Sequence, residues 1–516
     1  MPTKQCPREE CRRAGLRGRP ALRRVVLVRL LCAAVTAFGV ASAHCASLAD
    51  FGRLPALEDV ALSPDGSRVA FVRTVGDERV VAAVSLNDNK PLGIVRVGDV
   101  KLRSVEWVDN RNIMLGLSKT RNPESYRARS YESLQILLYN TDSGDFVAVP
   151  NVAAIQDRGS TLINGNPMVR RLQGKTAIFV PVITVFPEIE RELLKFDVET
   201  HRTEVWAHGT FSVAGWLLDA DGNIAAEEDY DTRGQHWVVK LMNNGDVEKA
   251  AEGVAGLDVP KIVGFTPDGH STVMEVLREG EVSWRPLHAG DGMGPPLAGS
   301  ESLTTYLLDR FTGRMIGGVR IEDDLHYEFF DPVMRRRWNS IVHAFDGSHL
   351  RFMSASENFG KVVVSVEGGA CGFCYQLVDF DTHRSKPLGD VYDGDLRPLE
   401  VRRVTYRARD GLSIPAYLTL PRSRPAERLP LVVLPHGGPG ARDTAEFDWW
   451  SQAIADQGYA VLRPNYRGST ISQRFLIAGY GEYGRKMQSD LSDGVRYLAK
   501  EGIVDPQRVC IAGASY

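Results

Sequence analysis

The chain has 516 residues, 43% of them hydrophobic and 25% charged, with 8 Trp, 16 Tyr and 19 Phe. That composition excludes a disordered or collagen-like chain and suits two large domains better than four small ones. With 62 Lys and Arg against 65 Asp and Glu the net charge is -3, so no nucleic-acid partner is expected.

Positive charge is concentrated at the start. Residues 1–43 carry nine basic side chains against Glu9 and Glu10, a local charge of +7. An apolar run from Leu30 to Val40 follows, then Ala41-Ser42-Ala43. This order is that of a secretory signal peptide cleaved before His44, which predicts an exported protein, periplasmic or secreted. The apolar run is short for a bilayer, so no stable membrane span is expected; the alternative is an uncleaved anchor lengthened back to Val25. Removal of the signal would leave Cys45, Cys371, Cys374 and Cys510. In an exported chain Cys371-Gly372-Phe373-Cys374 reads as a local disulfide, since a zinc site would need two further ligands at matching spacing. The pair also lies between β-like runs, whereas a thioredoxin-type redox motif opens a helix.

Residues 44–398 read as all-β: short apolar runs separated by Gly, Asp and Asn turns. One recurring element is Leu138-Tyr139-Asn140-Thr141-Asp142-Ser143-Gly144, with copies at Asp197-Val198-Glu199-Thr200, Asp309-Arg310-Phe311-Thr312-Gly313 and Asp379-Phe380-Asp381-Thr382. A second is Ser63-Pro64-Asp65-Gly66 before Val69-Ala70-Phe71, repeated at Thr266-Pro267-Asp268-Gly269 and more loosely at Asp221-Gly222 and Asp346-Gly347. Asp-Gly supplies the positive φ of a tight hairpin. Repeats of this size predict a β-propeller of six to eight blades. Within it, Arg335-Arg336-Arg337 is expected to be a solvated basic loop. Glu227-Glu228 is expected to be an ordinary part of a blade strand rather than a clamp for a peptide amine.

Residues 399–516 follow a different pattern. Leu431-Val432-Val433-Leu434 and Tyr459-Ala460-Val461-Leu462 are continuous apolar runs, as in strands buried on both faces. A helix over 447–457, packed through Trp449-Trp450, should lie between them and end at Gly458. Met487, Leu491, Val495 and Leu498 form one helical face before the strand Arg508-Val509-Cys510-Ile511-Ala512. Alternating strands and helices predict an α/β layer.

Three motifs carry chemistry. Gly513-Ala514-Ser515-Tyr516 follows the last strand, where a sharp turn would lift the Ser515 hydroxyl above the sheet. Pro435-His436-Gly437-Gly438-Pro439-Gly440 ends an earlier strand, and its glycines allow backbone N–H groups to approach a developing oxyanion. His436 precedes the serine and is read as an orienting or packing residue. Pro464-Asn465-Tyr466-Arg467-Gly468-Ser469 is the third, followed by Gly481-Glu482-Tyr483-Gly484 and a helix with Asp490 and Asp493.

This ordered set resembles the prolyl oligopeptidase family of serine peptidases, nearest its acylaminoacyl-peptidase and dipeptidyl-peptidase-like branches. The resemblance implies a β-propeller followed by an α/β-hydrolase domain, and a peptidase that admits short peptides. It implies acyl-enzyme formation at Ser515 as the catalytic residue, with an oxyanion hole from the N–H groups of Tyr516 and Gly438, and no cofactor or metal. In this fold the triad runs Ser, then Asp or Glu, then His. Neither later member lies within the 516 residues, so the chain is expected to be a fragment inactive as it stands. Two other readings stay open: a propeller binding protein with a remnant hydrolase layer, and an esterase.

Overall fold

In the computed structural model, residues 48–516 are described, apart from 123–129, 152–160, 186–188, 244, 257, 279–280, 291, 301, 394–395, 397, 439 and 516. The signal-like segment and Tyr516 therefore lie outside the described residues. Among the described residues no helix is long and apolar enough to cross a membrane.

Between Leu57 and Asp390 the strands form seven antiparallel sheets, each built from consecutive strands. This is the architecture of a seven-bladed β-propeller. The recurring turn residues act as acceptors that fix each hairpin. Asp65 Oδ1 accepts from Ser67 N at 2.9 Å, with Gly66 at φ 68°, and Asp268 Oδ1 accepts from His270 N at 3.0 Å. In the other element Asp197, Asp309 and Asp379 accept from backbone N–H groups two and three residues ahead. These are Asx turns, in which a carboxylate substitutes for a backbone carbonyl.

The first and seventh blades close the ring by packing. Leu57, Val60, Leu62 and Val69 share one buried cluster with Val363, Tyr375 and Leu377. Leu62 N donates to Ser354 Oγ at 3.0 Å, and Lys361 Nζ to the Gly66 carbonyl at 2.9 Å.

The sequence expectation fails at one place in the propeller. Arg335, Arg336 and Arg337 lie in helix α1 (Pro332–Ala344), not in a loop. Asp331 caps its N-terminus and Pro332 opens its first turn, both standard starting signals. Trp338 and Ile341 are buried beside Phe329 and Leu350. Arg335 is not a freely solvated charge: it donates to the Phe329 and Phe330 carbonyls. The Arg337 guanidinium donates to the Asn358 carbonyl and lies over the Phe380 ring. The expected Cys371–Cys374 disulfide is present, across the hairpin tip of the seventh blade.

From Val401 a five-stranded sheet begins. Its strands are β1 (Val401–Arg407), β2 (Ser413–Thr419), β3 (Leu429–Val433), β4 (Ala460–Pro464) and β5 (Val504–Ile511), in the order β1-β2-β4-β3-β5. Strands β4, β3 and β5 are mutually parallel, in register through Leu431↔Ala460 and Leu431↔Val509. All of β4 is buried. Ala460 and Leu462 pack on Met487, Leu491 and Leu498 of helix α3 (Lys486–Lys500), while Val461 joins Ala455 of helix α2 (Trp449–Asp456) in a cluster that Trp450 also packs against. A helix on each face is what makes β4 apolar along its whole length. Trp449 stacks on Trp450 but stays half exposed.

Candidate active site

Three connections leave the parallel strands in the same direction, because β3, β4 and β5 are parallel. In open α/β sheets this carboxyl edge is where ligands bind. The loops are the glycine loop after β3, the Asn465 to Ser469 turn after β4, and the Gly513 to Ser515 turn after β5.

Ser515 is exposed and has φ 68°, a left-handed conformation that is costly for a residue with a side chain. A strained, exposed serine on the turn that follows a strand of the parallel layer is the geometry expected of a nucleophile elbow, although this strand is itself largely exposed. The glycine loop packs directly against it. A Cβ on Gly437 would meet the Ala514 carbonyl oxygen at 3.2 Å and Ser515 Cβ at 3.2 Å. Glycine is required there by close approach rather than by φ. Gly438 follows at φ 127°, and its N–H has no acceptor among the described residues. Its carbonyl accepts from Tyr483 Oη at 3.3 Å.

His436 is held on both ring nitrogens. Nδ1 donates to the Gly437 carbonyl at 2.7 Å, and Nε2 lies 2.9 Å from Ser469 Oγ. Its ring stacks on Tyr466 at 4.7 Å, and Tyr466 Oη donates to the His436 carbonyl at 2.9 Å. Among the described residues no hydrogen bond joins Ser515 Oγ to His436 or to any carboxylate.

The third motif holds the second in place. Asn465, Tyr466, Arg467 and Ser469 are all at least 96% buried. Asn465 Oδ1 accepts from Asp443 N at 2.7 Å while its Nδ2 donates to the Asp443 carbonyl at 3.1 Å, so one amide brackets the chain just after the glycine loop. Arg467 anchors the turn from below: Nε and Nη2 donate to Asp490 at 2.8 and 2.7 Å, and Nη1 and Nη2 to Asp410 at 2.8 and 3.0 Å. Asp490 is therefore a buried counter-ion. Asp493 accepts from Arg409 N at 3.0 Å.

The propeller grips the same loop, which sequence reasoning missed. Arg442 donates to the Ile321 and Glu322 carbonyls at 2.6 and 2.7 Å. Ala445 N donates to the Asp323 carbonyl at 2.9 Å, and the Asp323 carboxylate accepts from Arg403 and Tyr417. Phe447 N donates to Glu367 Oε2 at 2.8 Å. Local patterning carries no sign of such contacts, because their partners lie 80 to 122 residues apart.

Glu227 and Glu228 do not converge on one ligand. Glu227 accepts from Trp216 Nε1 and Lys240 Nζ. Glu228 accepts from Ile262 N, and burial pushes its pKa up to about 7, with the Ile262 N–H and Lys261 pulling the other way. A carboxyl raised in the folded state favours its protonated form there. Its stabilising effect is therefore complete below the unfolded value near 4.5 and is lost as pH rises through about 7. Glu228→Gln keeps an acceptor for Ile262 N. It is expected to match wild type in urea unfolding below pH 4 and to exceed it by up to about 3 kcal/mol at pH 8. A difference independent of pH would show that Glu228 is not the titrating group.

Among the described residues one group of potential metal ligands is close enough to converge: Glu190, Glu192 and His208, within 4.8 Å. Both Glu192 oxygens already have partners, Thr184 Oγ1 at 2.9 Å and His208 Nδ1 at 3.0 Å.

Residues 445–516 match the family model described as "Prolyl oligopeptidase family". The chain is 43% identical over 121 residues to dipeptidyl aminopeptidase BIII of Pseudoxanthomonas mexicana, which is 22% of this chain and 18% of that protein. It is 31% identical over 138 residues to the human acylamino-acid-releasing enzyme, 26% of this chain and 18% of that one. The match thus spans under a fifth of either relative's length. In fold, the chain is similar to Pyrococcus horikoshii acylaminoacyl peptidase, with TM-score 0.58 at 15% identity over 90% of this chain and 74% of that one. A seven-bladed propeller precedes a sheet with three parallel strands whose loops come together beside a serine of positive φ, and within that layer the segment 445–516 is similar in sequence to the prolyl oligopeptidase family.

Proposed function

We propose that this protein is a serine peptidase that cleaves short peptides through an acyl-enzyme at Ser515. The observation that carries the reading is Ser515 itself, at φ 68° on the carboxyl edge with Gly437 packed against its Cβ. Attack by Ser515 Oγ on a peptide carbonyl would form a tetrahedral oxyanion. The Gly438 N–H and that of Tyr516 are the proposed donors to it, and each such donor contributes about 3 kcal/mol to this kind of step. Gly438 is suited to the task because its N–H has no acceptor among the described residues and its carbonyl accepts from Tyr483 Oη.

His436 is not proposed as the general base, since both ring nitrogens are engaged in holding the glycine loop. Nor is Asp490, whose carboxylate neutralises Arg467. In folds of this type the base and its orienting acid follow the nucleophile in chain order, which His436 and Asp490 do not. An esterase would use the same elbow and loop; the family match favours a peptidase.

The test is covalent. A form of the protein that carries the two later triad members, treated with a fluorophosphonate, should carry one adduct, located on Ser515 by peptide mapping, and Ser515→Ala in that form should carry none and lose peptide hydrolysis. Labelling at another serine would overturn the assignment. Export is proposed from the sequence pattern of residues 1–43. The mature protein recovered outside the cytoplasm should begin at His44 by mass spectrometry, and an intact Met1 on such a protein would overturn it.

A further inference from the structure

A cavity of about 700 Å³ lies between the hairpin tip of the seventh blade and the start of the hydrolase layer. Its volume is in the range of small-molecule sites, roughly 300 to 1,000 Å³. Glu367 lies in its wall and is 91% buried. One carboxylate oxygen accepts from Phe447 N, and the other has no partner among the described residues.

The charges around it are matched with one another. His349 pairs with Asp324, Arg351 with Glu446, and Arg402 with Glu400 through both carboxylate oxygens. Glu367 has no ion pair among the described residues, and the described lining of the cavity contains no Lys or Arg. Asp390 on the rim adds a second carboxylate without a described cationic partner. Burial raises the Glu367 carboxyl above its ordinary range, with the Phe447 N–H and the His349 imidazole pulling the other way and Glu446 and Asp324 adding to the rise.

Beside Glu367 three aromatic rings come together. Phe373 lies 5.9 Å from Tyr392 and 5.5 Å from Phe447, and Tyr392 lies 5.5 Å from Phe447. Phe373 and Tyr392 face the same cavity. Ring faces attract cations, more strongly when water is excluded, and a buried carboxylate supplies the full opposite charge.

From this cavity, the unpaired Glu367 carboxylate and the Phe373, Tyr392 and Phe447 rings, we infer a binding site for an organic ammonium ion. The site lies beyond the catalytic assignment and does not depend on it. A small free amine and a lysine side chain of a peptide share the chemistry. Either would replace the missing counter-ion of Glu367 and lay its methylene groups on the rings.

Calorimetric titration of the whole chain with phenethylammonium, and with uncharged 2-phenylethanol of the same shape, tests the site. The ammonium should bind and the alcohol should bind at least tenfold more weakly. Glu367→Gln keeps an oxygen for Phe447 N, so its thermal midpoint should not fall, yet phenethylammonium affinity should drop at least tenfold. Phe373→Leu keeps an apolar wall without the ring and should weaken binding severalfold. Nα-acetyl-lysinamide distinguishes the sources: binding by it points to a peptide side chain, and binding by phenethylammonium alone points to a free amine. No binding by phenethylammonium, equal binding of the alcohol, or unchanged affinity in Glu367→Gln would overturn the inference.

Discussion

A polypeptide of these 516 residues is expected not to react measurably with a fluorophosphonate at Ser515, although the serine is exposed and its elbow strained. A serine hydroxyl attacks only when a base takes its proton in the transition state. Among the described residues none is hydrogen-bonded to Ser515 Oγ, and the nearest histidine in the motif set has both nitrogens occupied. Loss of a triad member lowers this type of reaction by roughly 10⁴-fold, and what remains comes from the oxyanion donors and binding. Labelling over a day should therefore stay near that of Ser515→Ala in the same polypeptide, whereas a form extended to carry the two later triad members should label within minutes. Stoichiometric labelling of the 516-residue form would mean that a base is supplied upstream. His436→Ala then decides whether it is His436, since loss of labelling in that variant would move His436 from a supporting residue to the base.

That expectation depends on a division of labour only partly legible in the residues. The turn that carries Ser515 and the close approach of the glycine loop have local signals: a small residue before a serine at a strand end, and glycines at the end of another. The hairpins of the propeller were readable for the same reason, since Asp65-Gly66 and Asp197 to Thr200 satisfy their own turns. Helix α1 was not read, although Asp331-Pro332 and the Trp338 and Ile341 spacing were available, because three consecutive arginines suggested a solvated loop. The role of Asn465 to Ser469 could not be read at all. It rests on β4 lying next to β3, which brings Tyr466 and Ser469 against His436 across 30 and 33 positions of chain. The contacts from Asp323 and Glu367 are further removed still, because they depend on how the propeller seats against the sheet. Recognition of the motif located the third loop but could not show that it supports the second.

That supporting role predicts a large cost for breaking the ion pair beneath the loop. Asp490 is fully buried and accepts three hydrogen bonds from one residue, at 3.1 Å from the Arg467 backbone and at 2.8 and 2.7 Å from its guanidinium. Arg467→Leu would leave the fully buried Asp490 carboxylate without its counter-ion, and removal of one partner of such a pair costs about 3 to 5 kcal/mol. Asp490→Asn should cost less, because an amide keeps acceptor capacity and Asp410 still neutralises the arginine from its half-exposed side. Asp410→Asn should cost under about 1 kcal/mol, as for other exposed pairs. Combining Arg467→Leu with Asp490→Leu removes both charges and should recover a large part of the loss, since an apolar pair of similar volume can replace a buried ion pair. Urea unfolding followed at the hydrolase transition measures the series. Losses below 1 kcal/mol for Arg467→Leu, or no recovery in the double variant when the single one is severe, would show that the pair is not what holds the turn. In a form that carries the two later triad members the single variant should also slow fluorophosphonate capture by Ser515. The turn that Arg467 anchors carries Tyr466 and Ser469, which fix His436 and with it the glycine loop that packs on the serine.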